Sequence, residues 1–347
     1  MAGGRLSGPP GNYSELAPRM VLALKRQDVM AVKNLLEEGY RKLINAKLKH
    51  SDDARRSIAE PCVYKETALC VAIRVGQDKL EDLLNLLLHS GADPNKRSEE
   101  ITATRHSVVS PLLLLCQKSP SLIYKLLEAG ADIDATALKV QIPEEEGGSM
   151  LFIYRSCLYW AIDRDQASLV KMLIQYGADT SLMDDQGNRP IHHCCWESVQ
   201  MDCAWEVIKG GGLISTKENT VLNDKRVSNQ PSLFRTLLWQ LHVEPDAQML
   251  VKILRMLVIW GYGVHTTEAH QIVSTLHLAD ITMVEDPENF KSFVQWFEEK
   301  VKNPHTLKHS CCLSIRNALG SKKLRDKIYS LPLPHQLQIH LSMEDCI

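Results

Sequence analysis

Several times along this chain an apolar helical stretch runs into a glycine and then a short polar turn. Three copies end in the same tripeptide: Gly91-Ala92-Asp93, Gly130-Ala131-Asp132 and Gly177-Ala178-Asp179. A weaker copy, Val32 to Gly39, precedes them, and Met249 to Trp260 before Gly261 comes after them. Each glycine has the position of a helix C-cap, where a left-handed backbone ends the helix without a Cβ clash. A helix–turn unit of this size cannot bury its apolar face alone, so recurring units have to stack on one another. Repetition constrains the fold more than any other property of the chain.

Upstream of these helices lie Glu66-Thr67-Ala68-Leu69-Cys70-Val71-Ala72, Ser110-Pro111-Leu112-Leu113 and Arg189-Pro190-Ile191-His192. They are partial copies of the Thr-Pro-Leu-His-x-Ala signature, with proline in the first turn where its missing N–H costs nothing. Over residues 20–265 the chain resembles the ankyrin family. The period is uneven. The glycines stand at 39, 91, 130, 177, 210 and 261, and only Gly177 to Gly210 matches the ~33-residue ankyrin repeat. The excess is expected in surface loops at 46–62, 97–109, 138–156 and 213–230. Beyond the array, Phe290, Phe293, Val294, Phe297 and Val301 share one face of an amphipathic helix. That helix is expected to bridge the array to the C-terminal module.

Near the end of the sequence, Leu307, Cys311 and Ile315 are spaced i, i+4, i+8, one face of a helix. A short helix with Leu324 and Ile328 comes next, then Leu331-Pro332-Leu333-Pro334. The two prolines withhold two backbone donors and are expected to hold the chain extended, with Leu331 and Leu333 exposed. This stretch resembles a SOCS box, the module by which substrate receptors join elongin–cullin ubiquitin ligases. The resemblance implies that Leu307, Cys311 and Ile315 bind elongin C and that Leu331, Pro332, Leu333 and Pro334 select cullin-5 with its RING subunit. Ser310, Cys312 and His340 depart from the usual residues of the family. Leu333, Pro334, Leu337 and Leu341 also satisfy the looser pattern of cullin-2 adaptors, so the choice of cullin stays open.

Composition narrows the remaining classes. A formal net charge of −2 and 24% charged residues leave no basic footprint for nucleic acid. No run approaches the ~18 apolar residues of a membrane span. The Gly/Pro-rich start has no secretory pattern, so the ten cysteines are read as reduced, in the cytosol or nucleus. His192-His193-Cys194-Cys195 suggests a metal cluster, but neighbours on a helix point about 100° apart and cannot converge on one ion. Gly210-Gly211-Gly212 lacks the strand and the Gly-Lys-Ser/Thr of a phosphate loop. No catalytic motif is present, and neither a cofactor nor a metal is expected.

The expected architecture is all-α: a disordered tail over 1–18, an ankyrin-repeat solenoid over 19–285, a bridging helix over 286–302 and a helical SOCS box over 303–347. The expected role is a non-catalytic substrate receptor of an elongin B/C–cullin-5 ligase that marks a target protein for degradation. The rival is an ankyrin scaffold or inhibitor without a ligase. For target capture the candidates are Asp184 and Asp185 on an exposed turn and Trp196 beside it, an aromatic anchor flanked by polar residues.

Overall fold

The computed structural model describes residues 13–51, 62–76, 78–102, 105–141, 152–184, 187–194, 200–212, 255, 287–302 and 307–342. Two compact units divide the chain, residues 1–157 and 158–347.

The first unit opens with α1 (Tyr13–Lys25) and α2 (Val29–Glu37). Leu16, Met20, Ala23 and Leu24 form the buried stripe of α1 at helical spacing. The helix therefore takes in residues 13–18, which the sequence assigns to the disordered tail. Pro18 sits early in it, where only one backbone bond, to Ser14, is forgone. Residues 1–12 lie outside the described ones.

The next repeats pair α3 (Ala68–Val75) with α4 (Leu80–His89), and α5 (Pro111–Lys118) with α6 (Ile123–Glu128). Thr67 and Ser110 cap α3 and α5, each hydroxyl accepting from the backbone N–H three residues on. In α3 every residue from Ala68 to Ile73 is buried, the layer on which α1 and α5 pack. The turns after α4 and α6 obey one rule. Gly91 and Gly130 adopt φ of +95° and +87°. Ala92 and Ala131 donate back to Leu87 and Leu126, the six-to-one bond of a Schellman motif. Successive turns are tied by asparagine. Asn45 donates to Gly91 O (3.1 Å) and accepts from Asp93 N (2.7 Å); Asn95 repeats both bonds with Gly130 O (3.0 Å) and Asp132 N (2.7 Å).

The all-α expectation does not hold for this unit. Three of the segments read as loops, with the residues just flanking them, carry β1 (Leu48–Ser51), β2 (Val63–Glu66), β3 (Ser98–Ile101), β4 (Arg105–Val109), β5 (Ala137–Gln141) and β6 (Phe152–Arg155). They form one antiparallel six-stranded meander in chain order. Insertions between stacked repeats are brought side by side at the repeat spacing, so neighbouring hairpins satisfy each other's backbone groups. At the root of the sheet the fully buried Glu66 accepts from His50 (2.8 Å), Arg74 (3.1 Å) and Ser98 (2.7 Å). Burial alone would raise its carboxyl, but these donors outweigh burial and hold it below the usual value. Arg74 also lies 4.2 Å over the Tyr64 ring, which stacks on His50 across the β1–β2 ladder.

The second unit contains α8 (Ala167–Gln175), α9 (Pro190–His193), α10 (Met201–Lys209), α11 (Pro287–Lys302), α12 (Leu307–Leu319), α13 (Leu324–Tyr329) and α14 (His335–Ser342), with most of α7 (Cys157–Asp163). Helices α8 and α10 pack together. The turn after α8 repeats the Gly-Ala pattern, with Gly177 at φ +99° and Ala178 donating to Leu173. After α10 the left-handed residue is Gly211 (φ +95°), one position beyond the Gly210 expected to fill it. In α11, Phe290, Phe293, Val294 and Phe297 are buried while Lys291, Glu299 and Lys300 are exposed, the predicted face. Residues 213–254 and 256–286, which include the last expected repeat helix, lie outside the described ones.

Candidate docking site

Helix α12 presents two faces with different tasks. Cys312 faces inward and joins Leu324, Ile328 and Leu341 in a small core, onto which Leu319, Leu331 and Leu333 pack. One residue earlier, at the i, i+4 spacing, Cys311 and Ile315 are exposed, Ile315 by 37%. Leu307 opens the same helix one turn before Cys311, so the backbone register puts all three on one line. The shared face expected from the spacing is thus exposed at Cys311 and Ile315. The cysteine beside it, a departure from the family pattern, serves the core.

Arg316 is the group that sequence reading passed over. Its side chain is 1% exposed, yet it carries a permanent charge. One guanidinium nitrogen donates to Leu341 O at 2.6 Å and another to Ile208 O at 3.3 Å. Those carbonyls lie in the last turns of α14 and α10, at the negative end of each helix dipole, and Ile208 O also accepts from Gly211 N at 2.9 Å. Arg316 therefore ties the box to the end of α10 through backbone atoms. Its signal in the sequence was an arginine four residues after the inward Cys312, on the apolar side of the helix.

Other contacts strengthen that junction. Ser321 donates to Asp179 at 2.6 Å, and Ser181 donates to the same oxygen at 2.6 Å. Burial would raise the Asp179 carboxyl, but these hydroxyls and the Ser181 N–H hold it below its ordinary value. A Cβ at Gly211 would meet Leu324 Cδ2 at 2.8 Å and Ser321 Cα at 3.2 Å, so glycine there serves both a positive φ and a close approach of the box.

The proline segment is not the extended strip predicted. Leu333 N donates to Leu331 O at 2.8 Å, closing a tight turn around Pro332. Gln338 donates to Leu331 O (2.9 Å) and Tyr329 O (3.2 Å), pinning the turn to α14. Leu331 and Leu333 are half-buried in the box core rather than exposed, because the turn rotates both toward Leu324 and Ile328. Pro332 and Pro334 face solvent together with Leu337, which is 44% exposed.

The expected target-binding residues fare differently. Asp185 and Trp196 lie outside the described residues. Asp184 is not a free surface carboxylate: its side chain is 6% exposed, accepts from Asn188 N at 2.8 Å and meets His193 Nε2 at 2.8 Å. The Asn188 N–H, four residues on, occupies one oxygen and the ion pair the other, so the residue builds the turn. His193 also meets Asp163 at 3.2 Å and sits edge-on to Tyr159. Among the described residues no group of three or more His, Cys, Asp or Glu is placed to hold a metal ion. His192 accepts from Arg189 N at 3.1 Å within its own turn, and burial, reinforced by Arg189, pushes its imidazole down to about 4.

Burial would lower His193, but Asp163 and Asp184 outweigh it and raise the imidazole to about 9 from 6.5. A raised histidine contributes stability that is complete below about 6.5 and is lost as pH climbs through about 9. The thermal midpoint is therefore expected to fall between pH 7 and 10, and His193→Gln to flatten that dependence. Calorimetry across this range checks it; equal slopes for the two proteins would contradict the assignment.

Set against known protein families, residues 303–342 match the SOCS box, and residues 64–99 and 154–185 match the ankyrin repeat. No match was found among curated proteins. The SOCS box implies an adaptor role in an elongin–cullin ubiquitin ligase, and the repeats imply protein binding. In its modules and their order, the chain is an ankyrin-repeat and SOCS-box protein.

Proposed function

We propose that this protein is the substrate receptor of an elongin B/C–cullin-5–RING ubiquitin ligase, acting in the cytosol or nucleus. The observation that carries the reading is the outward line of α12, where Cys311 and Ile315 are exposed although the chain has packed Cys312, Leu324 and Ile328 beneath them. An apolar helical line left uncovered beside a formed core suits a groove on a partner. The mechanism is proximity: the repeats hold the target, and the box brings a charged conjugating enzyme near its lysines. Ubiquitin transfer belongs to the RING partner, and the target is then degraded. Asp185 and Trp196 remain the proposed target contacts, and Asp184 takes a structural part through its bonds to Asn188 and His193.

Leu331-Pro332-Leu333-Pro334 is the proposed cullin segment, but its leucines also fill the box core, so the variant that isolates the contact must spare them. Pro332→Ala and Pro334→Ala combined with Leu337→Asp is expected to keep elongin B/C and to lose cullin-5 in affinity purification from cells. Recovery of cullin-2 by the unaltered protein would reverse the choice of cullin. Purification without elongin B and C would instead support the scaffold reading.

A further inference from the structure

Where α8 and α10 meet α13, a cleft of about 360 Å³ opens within the second unit. Its floor is apolar, formed by Ile174, Leu324 and Ile328. Four cations line it: Lys171 on α8, Lys209 on α10, and Lys323 and Arg325 at the start of α13. Among the described residues that line it, the acids are Glu206 and Asp326. Glu206 is already shared with Lys209, 3.6 Å away. Lys171 and Lys323, on opposite sides of the cleft, have no ion pair among the described residues, and both are exposed.

The backbone at Lys323 adds a second observation. It is held left-handed, φ +49° and ψ 39°, a conformation that disfavours a side chain with a Cβ. Its stem lies over Gly177, where an added Cβ would meet Lys323 Cε at 2.9 Å. The absence of a Cβ at Gly177 leaves room for the lysine stem beside the cleft. A cleft with an apolar floor and a cationic rim has the composition of a ligand site, in which polar groups orient and apolar surface binds. The cations come from three separate elements, so the complementary negative charge must be spread along the occupant. A single point anion would satisfy one wall only.

We propose that this cleft docks an acidic segment of a partner protein, two or more carboxylates flanking an apolar side chain, at the junction of repeat and box. The site is separate from the elongin line on α12 and does not depend on which cullin is recruited. Glu344 and Asp345 of this chain, outside the described residues and shortly after Ser342 at the cleft, have related chemistry and are the competing occupant.

The test uses the full chain with elongin B/C and a fluorescein-labelled Asp-Glu-Leu-Asp-Glu-Leu peptide in a polarisation titration. Saturable binding is expected at 50 mM salt, weakening roughly tenfold by 300 mM as screening shortens the reach of the rim charges. Lys171→Glu with Lys209→Glu on the repeat side should weaken it roughly tenfold or more, and Lys323→Glu on the box side should act in the same direction. Elongin retention and an unchanged melting temperature show that each variant is folded. A peptide with serine at every acidic position should not bind. Absence of saturable binding at low salt, or equal affinity for the charge-reversed variants, overturns the proposal. So does binding that appears only when the chain is cut after Ser342, which would give the cleft to its own tail.

Discussion

Arg316→Met lowers the melting temperature of this protein by on the order of 10 °C. Methionine retains the apolar stem but removes the guanidinium, which takes from Leu341 O its side-chain donor and leaves Ile208 O with the Gly211 N–H. A buried carbonyl left unsatisfied costs ~1–3 kcal/mol, and losing the charge-assisted bond to Ile208 O adds about 1 kcal/mol, so the loss sums to roughly 2–4 kcal/mol. In a unit of this size, 1 kcal/mol moves the midpoint by roughly 2–4 °C. Arg316→Lys recovers only part of the loss, because one ammonium cannot fork to two carbonyls on different helices. Limited proteolysis should then cut between Lys209 and Leu307 faster in the methionine variant. A melting temperature within 2 °C of the unaltered protein, as an approximate threshold for a lost buried hydrogen bond, would show that the guanidinium contributes nothing to the junction.

Leu307→Asp combined with Cys311→Phe abolishes elongin B/C binding while the array stays folded. Burying a leucine contributes about 2 kcal/mol or more, and an aspartate in its place adds the penalty of a desolvated charge. Phenylalanine at 311 enlarges a side chain that the proposed slot admits only when small. Cys311 is exposed and outside the box core, so the substitution spares Cys312, Leu324 and Ile328. The melting temperature should therefore stay near that of the unaltered protein, which separates lost docking from lost folding. Undiminished recovery of elongin C with this double variant would remove α12 as the contact.

Much of this arrangement was legible in the residues because it depends on local rules. A glycine after an apolar helix predicted a left-handed cap, and Gly39, Gly91, Gly130 and Gly177 all adopt one. The i, i+4 spacing of Cys311 and Ile315 gave their shared exposed face. The six strands were less legible. Most are only four residues long, and Leu48–Ser51 and Ser98–Ile101 carry lysine, histidine and glutamates that read as loop. Their stability comes from neighbouring hairpins brought together by the solenoid, a non-local cause that no single segment reveals. Asp184 misled for a related reason: an exposed-looking acidic turn gave no hint that His193, nine residues on, folds back to its carboxylate. The turn of Leu331 to Leu333 depends likewise on Gln338, a residue that spacing alone does not distinguish.

The measurement that bears most directly on the account is calorimetric titration of purified elongin B/C into the full chain at two temperatures. The account predicts a saturable one-to-one complex with a negative heat-capacity change, the mark of apolar surface buried along α12, and no heat of binding with the Leu307→Asp, Cys311→Phe variant. A folded protein that gives no binding heat at either temperature, or a variant that binds as well as the original, would contradict the assignment of this chain to an elongin–cullin ligase.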